Sequence, residues 1–353
     1  MIRLGIVGCN YGRTVQLPAF RNDPRCIVLA LAGTDAARTA ELARQSGIAM
    51  AFGDWKELIE KADIDAVVIA TPPQFQPQIA TRALERGKAV FVEKPMAANL
   101  EGAAAMLAAA AKGGKTAMID FNFTELPAWR KTKALIDAGA IGRLRHVVVT
   151  WNVENQSTKL RLKNWKTSGD SGGGTLGNFA SHSLHYFEWL CGPISELSAR
   201  LASLPDDPAL ETTVTLSLGF NSGASGSLAV SSAAYLGSGH RLEFYGEDGT
   251  LVLANTTSDY MRGFTLHHAR RPAAALELVA VDLDPLDKVA LDGRIAPVSR
   301  LASRFLDAIE QRKSVQPGFV EGYRVQMLLD AARRSHALGS SVNTSEPAKM
   351  EQI

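Results

Sequence analysis

A short glycine-containing loop follows the first apolar segment of the chain, and its residue types suit the binding of a phosphate group. The segment Leu4–Val7 runs directly into Gly8-Cys9-Asn10-Tyr11-Gly12-Arg13, which precedes a predicted helix ending near Phe20. A dinucleotide-binding loop must turn tightly and present backbone N–H groups and a helix N-terminus to a pyrophosphate. The usual spacing would place glycine at positions 8, 10 and 13, and only Gly8 fits it. Asn10 tolerates left-handed backbone angles, so we expect it to turn the chain without obstructing the phosphate; an ordinary structural turn is the alternative.

The end of the second predicted strand indicates which dinucleotide such a site would take. A site selective for NAD places a carboxylate there, which accepts hydrogen bonds from the ribose hydroxyls. Here Gly33 stands where we expect the acid, and it is followed by Thr34 and Arg38. Hydroxyl and guanidinium groups would accommodate a 2′-phosphate, so the sequence favours NADP(H) over NAD(H) as the cofactor. In the alternative interpretation, Thr34 and Asp35 cap the next helix and Arg38 is a solvated side chain.

Strand-like and helix-like segments alternate along the first 120 residues, and they are the elements that would position these loops. Short runs rich in β-branched residues alternate with stretches of helical period, which is the pattern of βαβ units and a parallel sheet. The predicted strands are Leu4–Val7, Cys26–Ala32, Ala66–Ala70, Ala89–Val92 and Thr116–Ile119. The predicted helices between them are Ala36–Gln45, Asp54–Lys61, Gln76–Arg86 and Leu100–Lys112. Continuously apolar strands indicate a sheet covered on both faces.

The pattern changes after this region, which predicts a second domain. A helix over Pro127–Ala138 is followed by extended segments with partial alternation, the pattern of a mostly antiparallel sheet. These segments are Arg145–Val153, Glu196–Leu204, Glu211–Gly219, Ala224–Ser232, Arg241–Tyr245 and Thr250–Leu253. Two amphipathic helices follow, near Val298–Arg312 and Val320–Ala337. We predict an α/β Rossmann-type doubly wound parallel sheet over residues 1–121, an α+β domain with a large antiparallel sheet over 122–339, and a polar tail over 340–353.

Composition excludes several classes of protein. The 353 residues carry 38 Lys and Arg against 36 Asp and Glu, a formal net charge of +2, which gives no field that would attract nucleic acid or an anionic membrane. The longest apolar run, Ala103–Ala111, is far shorter than the roughly 20 residues of a membrane-spanning helix. Three cysteines without a CxxC motif indicate neither a disulfide framework nor a thiolate zinc site. We therefore expect a cytoplasmic protein without a secretion signal.

Three further motifs carry a resemblance to a known family. Ala70-Thr71-Pro72-Pro73 follows one predicted strand, and Val92-Glu93-Lys94-Pro95 follows the next. A run of three glycines, Gly172–Gly174, leads through Leu176-Gly177-Asn178 to His182. Together with the strand order, these motifs resemble the glucose–fructose oxidoreductase and inositol dehydrogenase family, Gfo/Idh/MocA, over nearly the whole chain. The resemblance implies a pyridine-nucleotide oxidoreductase that acts mainly on sugars, cyclitols and related polyols.

The resemblance also implies roles for three residues. The catalytic lysine of the family maps onto Lys94, its catalytic histidine onto His182, and its usual aspartate onto Asn178. An ammonium at the carboxyl edge of a parallel strand can stabilise negative charge on a substrate oxygen, and an imidazole can exchange its proton. Asn178 can orient a hydroxyl or the imidazole but cannot stabilise an imidazolium. We expect Lys94 and His182 to converge on one oxygen beside the nicotinamide; the alternatives are a surface lysine paired with Glu93 and a core or capping histidine.

Other residues are assigned by their place in the motifs. The cofactor side is predicted to include Thr71, Pro72, Gln76 and Glu93, in addition to the glycine loop and Lys94. The substrate side is predicted to include Asn122, Lys163, Trp165 and His185. Departures from the family pattern are Gln76 in place of a frequent histidine, Thr124 in place of a frequent arginine, and His185 in place of a frequent aspartate. We expect no metal, although His182, His185 and Glu188 share a helical face.

The segment from Lys159 to Lys166 places four cations just before the glycine run. As a lid it would supply Trp165 as an apolar wall and Lys163 or Lys166 for an anionic group, which would favour acidic substrates. As a solvated or subunit-facing loop it would have no such role.

Three functions remain open at this point. The first is an NADP-preferring dehydrogenase or reductase of a sugar-like alcohol, and the second is a reductase of a non-sugar C=O or C=N group. The third is a catalytically silent cofactor-binding regulator. In each case the partner is a small molecule, with no nucleic acid and no membrane, and we expect a homodimer or homotetramer formed through the C-terminal sheet.

Overall fold

The computed structural model describes residues 1–204, 207–290 and 292–345. Contacts among the described residues divide the chain into two units, one within residues 1–122 and 289–326 and the other within residues 123–288 and 327–345. The sequence had assigned residues 289–326 to the C-terminal domain, whereas the structure packs them in the first unit. Of the predicted polar tail, residues 346–353 lie outside the described residues.

The α-helices occur in both units and none of those described is long and apolar enough to cross a membrane. In chain order they are α1 Leu17–Arg21, α2 Ala36–Gln45, α3 Trp55–Lys61, α4 Gln76–Glu85, α5 Leu100–Gly113, α6 Pro127–Asp137, α7 Gln156–Lys159, α8 Ser181–Cys191, α9 Pro285–Val289, α10 Ile295–Gln311 and α11 Phe319–Leu338. Local signals set their ends. Asp35 accepts a hydrogen bond from the Arg38 N–H at the start of α2, Asn99 accepts one from the Gly102 N–H at the start of α5, and Gly114 ends α5 in the left-handed conformation.

The first unit contains a six-stranded parallel sheet. Its strands are β1 Ile2–Val7, β2 Cys26–Ala32, β3 Met50–Phe52, β4 Ala66–Ile69, β5 Ala89–Val92 and β6 Ala117–Ile119, in the order β3-β2-β1-β4-β5-β6. The order reverses at β1, where Val7 pairs with Ala32 on one side and Ile69 on the other. In doubly wound sheets, ligands bind outside the carboxyl ends of the strands at this reversal. The sequence did not predict β3, which has only three residues and none of them buried.

The core of the first unit explains why α10 belongs to it. Phe20, Phe91 and Phe305 meet edge to face, with ring centroids 5.4 to 6.2 Å apart. Phe305 lies on α10, and the apolar face of this helix covers the sheet. Other buried members of this core are Leu4, Ile6, Leu31, Val68, Leu301 and Leu306. The amphipathic period of α10 was visible in the sequence, but the surface that its apolar face would cover was not.

The second unit contains a nine-stranded sheet. Its strands are β7 Leu144–Asn152, β8 Ile194–Leu204, β9 Asp207–Phe220, β10 Ser225–Ser231, β11 Gly239–Gly246, β12 Gly249–Asn255, β13 Thr265–Arg270, β14 Glu277–Val279 and β15 Val342–Asn343. Their order is β14-β13-β12-β11-β7-β10-β9-β8-β15, antiparallel except for the pair β7 and β10. On β7, Val147, Val149 and Trp151 are buried and alternate with half-buried residues.

The predicted fold class is therefore confirmed: a Rossmann-type parallel sheet followed by an α+β domain with a mostly antiparallel sheet. The sequence missed β13, β14 and β15, which lie at the two ends of the second sheet. β14 and β15 have only three and two residues and no buried position, so they carry little apolar pattern.

The packing of α10 leads to a stability prediction. Phe305→Ala should lower the free energy of unfolding by about 3–5 kcal/mol, because it leaves a cavity among Phe20, Phe91 and the sheet. Urea unfolding followed by circular dichroism measures the change. The matched control is Phe75→Ala. Because Phe75 is 45% exposed, this substitution should lower the free energy of unfolding far less. Equal losses in the two variants would contradict the role assigned to α10.

Candidate active site

Backbone packing fixes the glycines of the loop after β1. Gly8 has φ +122°, and a Cβ atom on it would lie 2.3 Å from the carbonyl oxygen of Ala70. A Cβ on Gly12 would lie 2.8 Å from Cγ2 of Ile6. Only glycine fits these two positions without displacement. The expectation that Asn10 makes the turn with a left-handed backbone is wrong. Asn10 is not among the described non-glycine residues with positive φ, and Gly8 supplies the turn instead.

The chain continues from this loop into a helical turn of the π type, Gly12–Gln16, and then into α1. The carbonyl oxygen of Asn10 accepts hydrogen bonds from the N–H groups of Arg13 and Thr14, at 3.1 and 2.9 Å. Tyr11 contacts two side chains: the Arg294 guanidinium lies 5.3 Å from its ring centroid, and the Asn122 amide donates to its hydroxyl at 3.3 Å. Two residues predicted on opposite sides of the site, Tyr11 and Asn122, are thus neighbours.

Two buried polar groups near this loop fit a phosphate-bearing ligand. Arg13 Nε and Thr71 Oγ1 are buried and have no hydrogen-bond partner within the described part of the chain. Thr71 and Pro72 follow β4, the strand beside β1, so their loop leaves the same edge of the sheet as the glycine loop. Donors and a close backbone approach at the strand-order reversal are what a dinucleotide requires. The residues present therefore fit such a cofactor.

The end of β2 has no room for the carboxylate of an NAD-selective site at position 33. A Cβ on Gly33 would lie 2.5 Å from Thr39 Oγ1 and 2.6 Å from Cys9 Sγ. The Asp35 carboxylate caps α2, because it accepts a hydrogen bond from the Arg38 N–H at 2.9 Å. This is the role that the alternative interpretation of the sequence gave to Asp35. The side chains of Thr34 and Arg38 are exposed, and Arg38 forms no ion pair with another described residue.

Two buried glutamines hold the loop that carries Lys94. Gln76 Nε2 donates to the carbonyl oxygens of Glu93 and Pro95, at 2.9 and 2.7 Å. Gln16 Nε2 donates to Glu93 Oε1 at 2.8 Å. Gln76 was predicted to bind the cofactor, whereas its amide nitrogen here fastens the Lys94 loop to the start of α4. Lys94 itself follows β5, at the carboxyl edge where the sequence placed it.

An acidic residue that the sequence analysis missed lies beside this loop. Asp120 directly follows β6 and is fully buried. Burial raises the pKa of the Glu93 carboxyl well above its usual range, and Asp120 raises it further while Lys94 opposes the shift. Burial also raises the pKa of Asp120, whereas interactions with Glu93, Gln16 and Lys94 lower it. The available signal was its position: an acid immediately after a buried parallel strand, at the same edge as Lys94.

In the second unit, His182 lies near the start of α8, after a second π-type turn, Leu176–Ala180. Its side chain is buried and meets the ring of Phe123 edge to face at 4.9 Å, with Trp151 at 6.3 Å. Asn178 lies in the π-type turn and is half-buried. Lys94 belongs to the first unit and His182 to the second, and their convergence on one oxygen stays a prediction.

The glycine run before His182 is required by close contacts. Gly174 has φ +77°, and a Cβ on it would lie 2.0 Å from Oε1 of Glu211. A Cβ on Gly173 would lie 2.0 Å from the carbonyl oxygen of Trp165. Glu211 also accepts a hydrogen bond from the Leu176 N–H at 3.2 Å, and burial raises the pKa of its carboxyl. Glu211 thus holds the turn that leads to His182, a role that the sequence did not indicate.

Two further histidines are buried in this unit. Burial lowers the pKa of His185, on α8, to about 3, so this side chain is neutral at neutral pH. His240, on β11, also has its pKa lowered by burial to about 3. Trp151 stacks on His240 with ring centroids 4.3 Å apart, and the Tyr186 hydroxyl lies 3.0 Å from His240 Nε2. The sequence did not indicate His240, because its neighbours are distant along the chain.

The cationic segment before the glycine run is largely exposed. Lys163 and Lys166 are exposed, and Trp165 is half-buried at the start of a short 3₁₀ turn. Lys166 Nζ lies 5.9 Å from the ring centroid of Trp165. In the part of the chain that the structure describes, no three His, Cys, Asp or Glu side chains group as metal ligands.

Comparison with known proteins identifies the family. Residues 2–121 match the model of an oxidoreductase family with an NAD-binding Rossmann fold, and residues 129–252 match the GFO/IDH/MocA C-terminal domain. An uncharacterised oxidoreductase of Synechocystis sp. is 31% identical over 348 residues, covering 95% of this chain and 94% of that protein. Levoglucosan dehydrogenase of Pseudarthrobacter phenanthrenivorans is 28% identical over 339 residues, covering 87% of each. A solved structure of levoglucosan dehydrogenase in complex with NADH matches with a TM-score of 0.87 at 25% identity, covering 98% of this chain and 100% of that one.

The fold and these likenesses define an oxidoreductase with an NAD-binding Rossmann fold in its N-terminal part. The chain belongs to the Gfo/Idh/MocA family. This confirms the predicted family and the predicted enzyme class, a dehydrogenase or reductase acting on CH–OH groups.

The buried histidines lead to a prediction on pH dependence. The unfolded chain binds a proton at His240 below about pH 6.5, whereas the folded protein does so only near pH 3. Between these values the unfolded state binds more protons, so stability is lost as pH falls, by up to about 1.4 kcal/mol per pH unit for this group. Denaturant titrations between pH 6 and 4 give the slope of the free energy of unfolding against pH. In His240→Gln this slope should be smaller than in the wild type by up to that amount.

The matched control is Tyr186→Phe, which removes the hydroxyl facing His240 but leaves the imidazole buried. Because burial is the cause of the lowered pKa, this variant should keep the wild-type slope. An unchanged slope in His240→Gln would show that the imidazole titrates normally in the folded protein.

Proposed function

We propose that the chain is an NADP(H)-preferring oxidoreductase that transfers a hydride between the cofactor and a carbinol or carbonyl carbon of a sugar, cyclitol or sugar acid. The observation that carries this proposal is the loop of Lys94, which is held by Gln16 and Gln76 at the carboxyl edge of the parallel sheet. Membership of the family and the likeness to levoglucosan dehydrogenase support the substrate class.

On the cofactor side, Gly8 and Gly12 let the backbone approach the pyrophosphate, and Arg13 Nε and Thr71 Oγ1 supply donors. Pro72 follows Thr71 and fixes the turn into the next loop. Preference for a 2′-phosphate is supported by the exposed Thr34 and Arg38 and by the use of Asp35 as a helix cap. Arginine binds phosphate through a planar fork of donors.

The chemistry divides between two side chains of the protein. When bound, the nicotinamide supplies or accepts the hydride at C4. Lys94 donates a hydrogen bond to the substrate oxygen and stabilises its negative charge. His182 takes the hydroxyl proton during oxidation and returns it during reduction, while Phe123 and Trp151 keep its ring in an apolar surrounding. Asn178 orients the hydroxyl or the imidazole as a neutral group.

The roles of Asn122, His185, Lys163 and Trp165 toward the substrate stay predictions. The homodimer or homotetramer expected through the nine-stranded sheet and the cytoplasmic location also stay predictions.

Cofactor preference is tested by Arg38→Ala. Loss of one arginine contact to a phosphate should raise KM for NADPH by about tenfold, corresponding to about 1.4 kcal/mol, and leave KM for NADH nearly unchanged. Initial rates with each cofactor measure both constants. Arg44→Ala is the control, because Arg44 is exposed on the same helix and pairs with Glu41. The proposed preference for NADPH would be refuted if the wild-type enzyme prefers NADH and Arg38→Ala changes KM equally for both cofactors.

The catalytic roles are tested by Lys94→Ala and His182→Ala. Each should lower kcat by about 10²–10⁴-fold, since each removes a group that stabilises charge or transfers a proton. Nicotinamide absorbance with a panel of polyols, aldoses and sugar acids measures turnover, and fluorescence titration measures cofactor binding. Lys61→Ala, an exposed lysine paired with Glu57, is the control. Cofactor binding without turnover of any member of the panel would favour the silent regulator instead.

A further inference from the structure

Two carboxyl side chains lie next to each other at the edge of the sheet that carries Lys94. The last paired residues of β5 and β6 are Val92 and Ile119, and the two acids, Glu93 and Asp120, directly follow them. Their N–H groups continue the ladder, since Glu93 donates to the Ile69 carbonyl and Asp120 donates to the Val92 carbonyl, each at 2.9 Å. The sheet register therefore places the two residues side by side, and Glu93 directly precedes Lys94 in the loop after β5.

Asp120 is withdrawn from solvent, and Glu93 is partly so. Asp120 is fully buried, and its two carboxyl oxygens make no well-aligned hydrogen bond with the described residues. Glu93 is half-buried, and desolvation raises the pKa of its carboxyl. From the helical turn after β1, Gln16 donates to Glu93 Oε1 at 2.8 Å, and from α4, Gln76 donates to the Glu93 carbonyl at 2.9 Å.

These contacts determine how many protons the pair can hold. Gln16 and Gln76 are neutral, and Lys94 is the cation that acts on both carboxyls. Two adjacent buried carboxylates cannot both ionise at low cost, because each is desolvated and repels the other. A proton on the second carboxyl oxygen of Glu93 would remove the repulsion and could be donated to one of the two Asp120 oxygens, neither of which has an aligned donor among the described residues. Such a pair carries one negative charge and titrates as a unit.

We propose that Glu93 and Asp120 share a single proton and act as a positioning pair whose one negative charge keeps the neighbouring Lys94 protonated and directed at the substrate oxygen. The inference rests on the proposed catalytic role of Lys94. Asp120 and Glu93, which the sequence placed on the cofactor side, act on the substrate oxygen through the Lys94 ammonium and not by direct contact. The raised pKa values of both carboxyls agree with the shared proton.

The test compares Glu93→Gln, Asp120→Asn and the double variant. In each single variant an amide replaces one carboxyl and donates to the other, which ionises, so the pair keeps one negative charge. The double variant has the same shape and no charge. In the pH profile of kcat, the limb that disappears in Lys94→Arg or Lys94→Ala is assigned to Lys94. That limb should stay in place in both single variants and move about 1 to 3 pH units lower in the double variant.

A second measurement needs neither cofactor nor turnover. Infrared spectra of the wild-type protein at neutral pH should contain the C=O stretch of a protonated carboxylic acid, and Glu93→Gln should remove the component of this band that remains in Glu211→Gln. Glu211→Gln is the matched control, because Glu211 is another buried acid with a raised pKa. The difference between the Glu93→Gln and Glu211→Gln spectra assigns the band to one site.

The outcomes are distinct. The pair is overturned by a band of unchanged intensity in Glu93→Gln, or by a double variant whose Lys94 limb lies at the same pH as in the single variants. If the double variant fails to fold, the infrared band decides alone: its presence in the wild type and loss in Glu93→Gln supports the pair, and its absence from the wild type overturns it. Full turnover by Lys94→Ala would instead overturn the proposed function, and the infrared result would still decide whether the proton is shared.

Discussion

The backbone of Gly8 passes so close to the Ala70 carbonyl that no side chain fits between them. This contact occurs where the strand order reverses, so it sets how near the loops after β1 and β4 lie to each other. Arg13, Thr71 and the loop of Lys94 all leave the sheet at this edge. A larger residue at position 8 would strain the turn or separate the loops, and the donors would no longer face one ligand.

Much of the fold could be predicted because its signals are local. The bounds of α2 and β2 agree with those expected from the sequence, since a capping aspartate, a helical period and a continuous apolar run each act over a few residues. The glycine loop, the position of Lys94 after β5 and the position of His182 on a helix were visible for the same reason. Short strands such as β3 and β15 lack that signal and were missed.

The remainder depends on contacts between distant parts of the chain. Gln76 holds the Lys94 loop through the carbonyls of Glu93 and Pro95, which lie 17 and 19 residues further along the chain, and no local pattern indicates these contacts. Asp120 gains its importance from a neighbour on the adjacent strand, and His240 from aromatic rings on β7 and α8. The same holds for α10, whose partners Phe20 and Phe91 lie near the other end of the chain.

Both candidate loops are followed by a π-type turn, Gly12–Gln16 in the first unit and Leu176–Ala180 in the second. Such a turn holds one residue more than the regular helix that surrounds it. Because its hydrogen bonds run from i to i+5 in place of i to i+4, the wider turn absorbs that residue and the helix after it keeps its angular phase. Deleting one residue from 176–180 would therefore restore regular winding with His182 still on the same face of its helix, while leaving the hydrophobic pattern of the sequence almost intact.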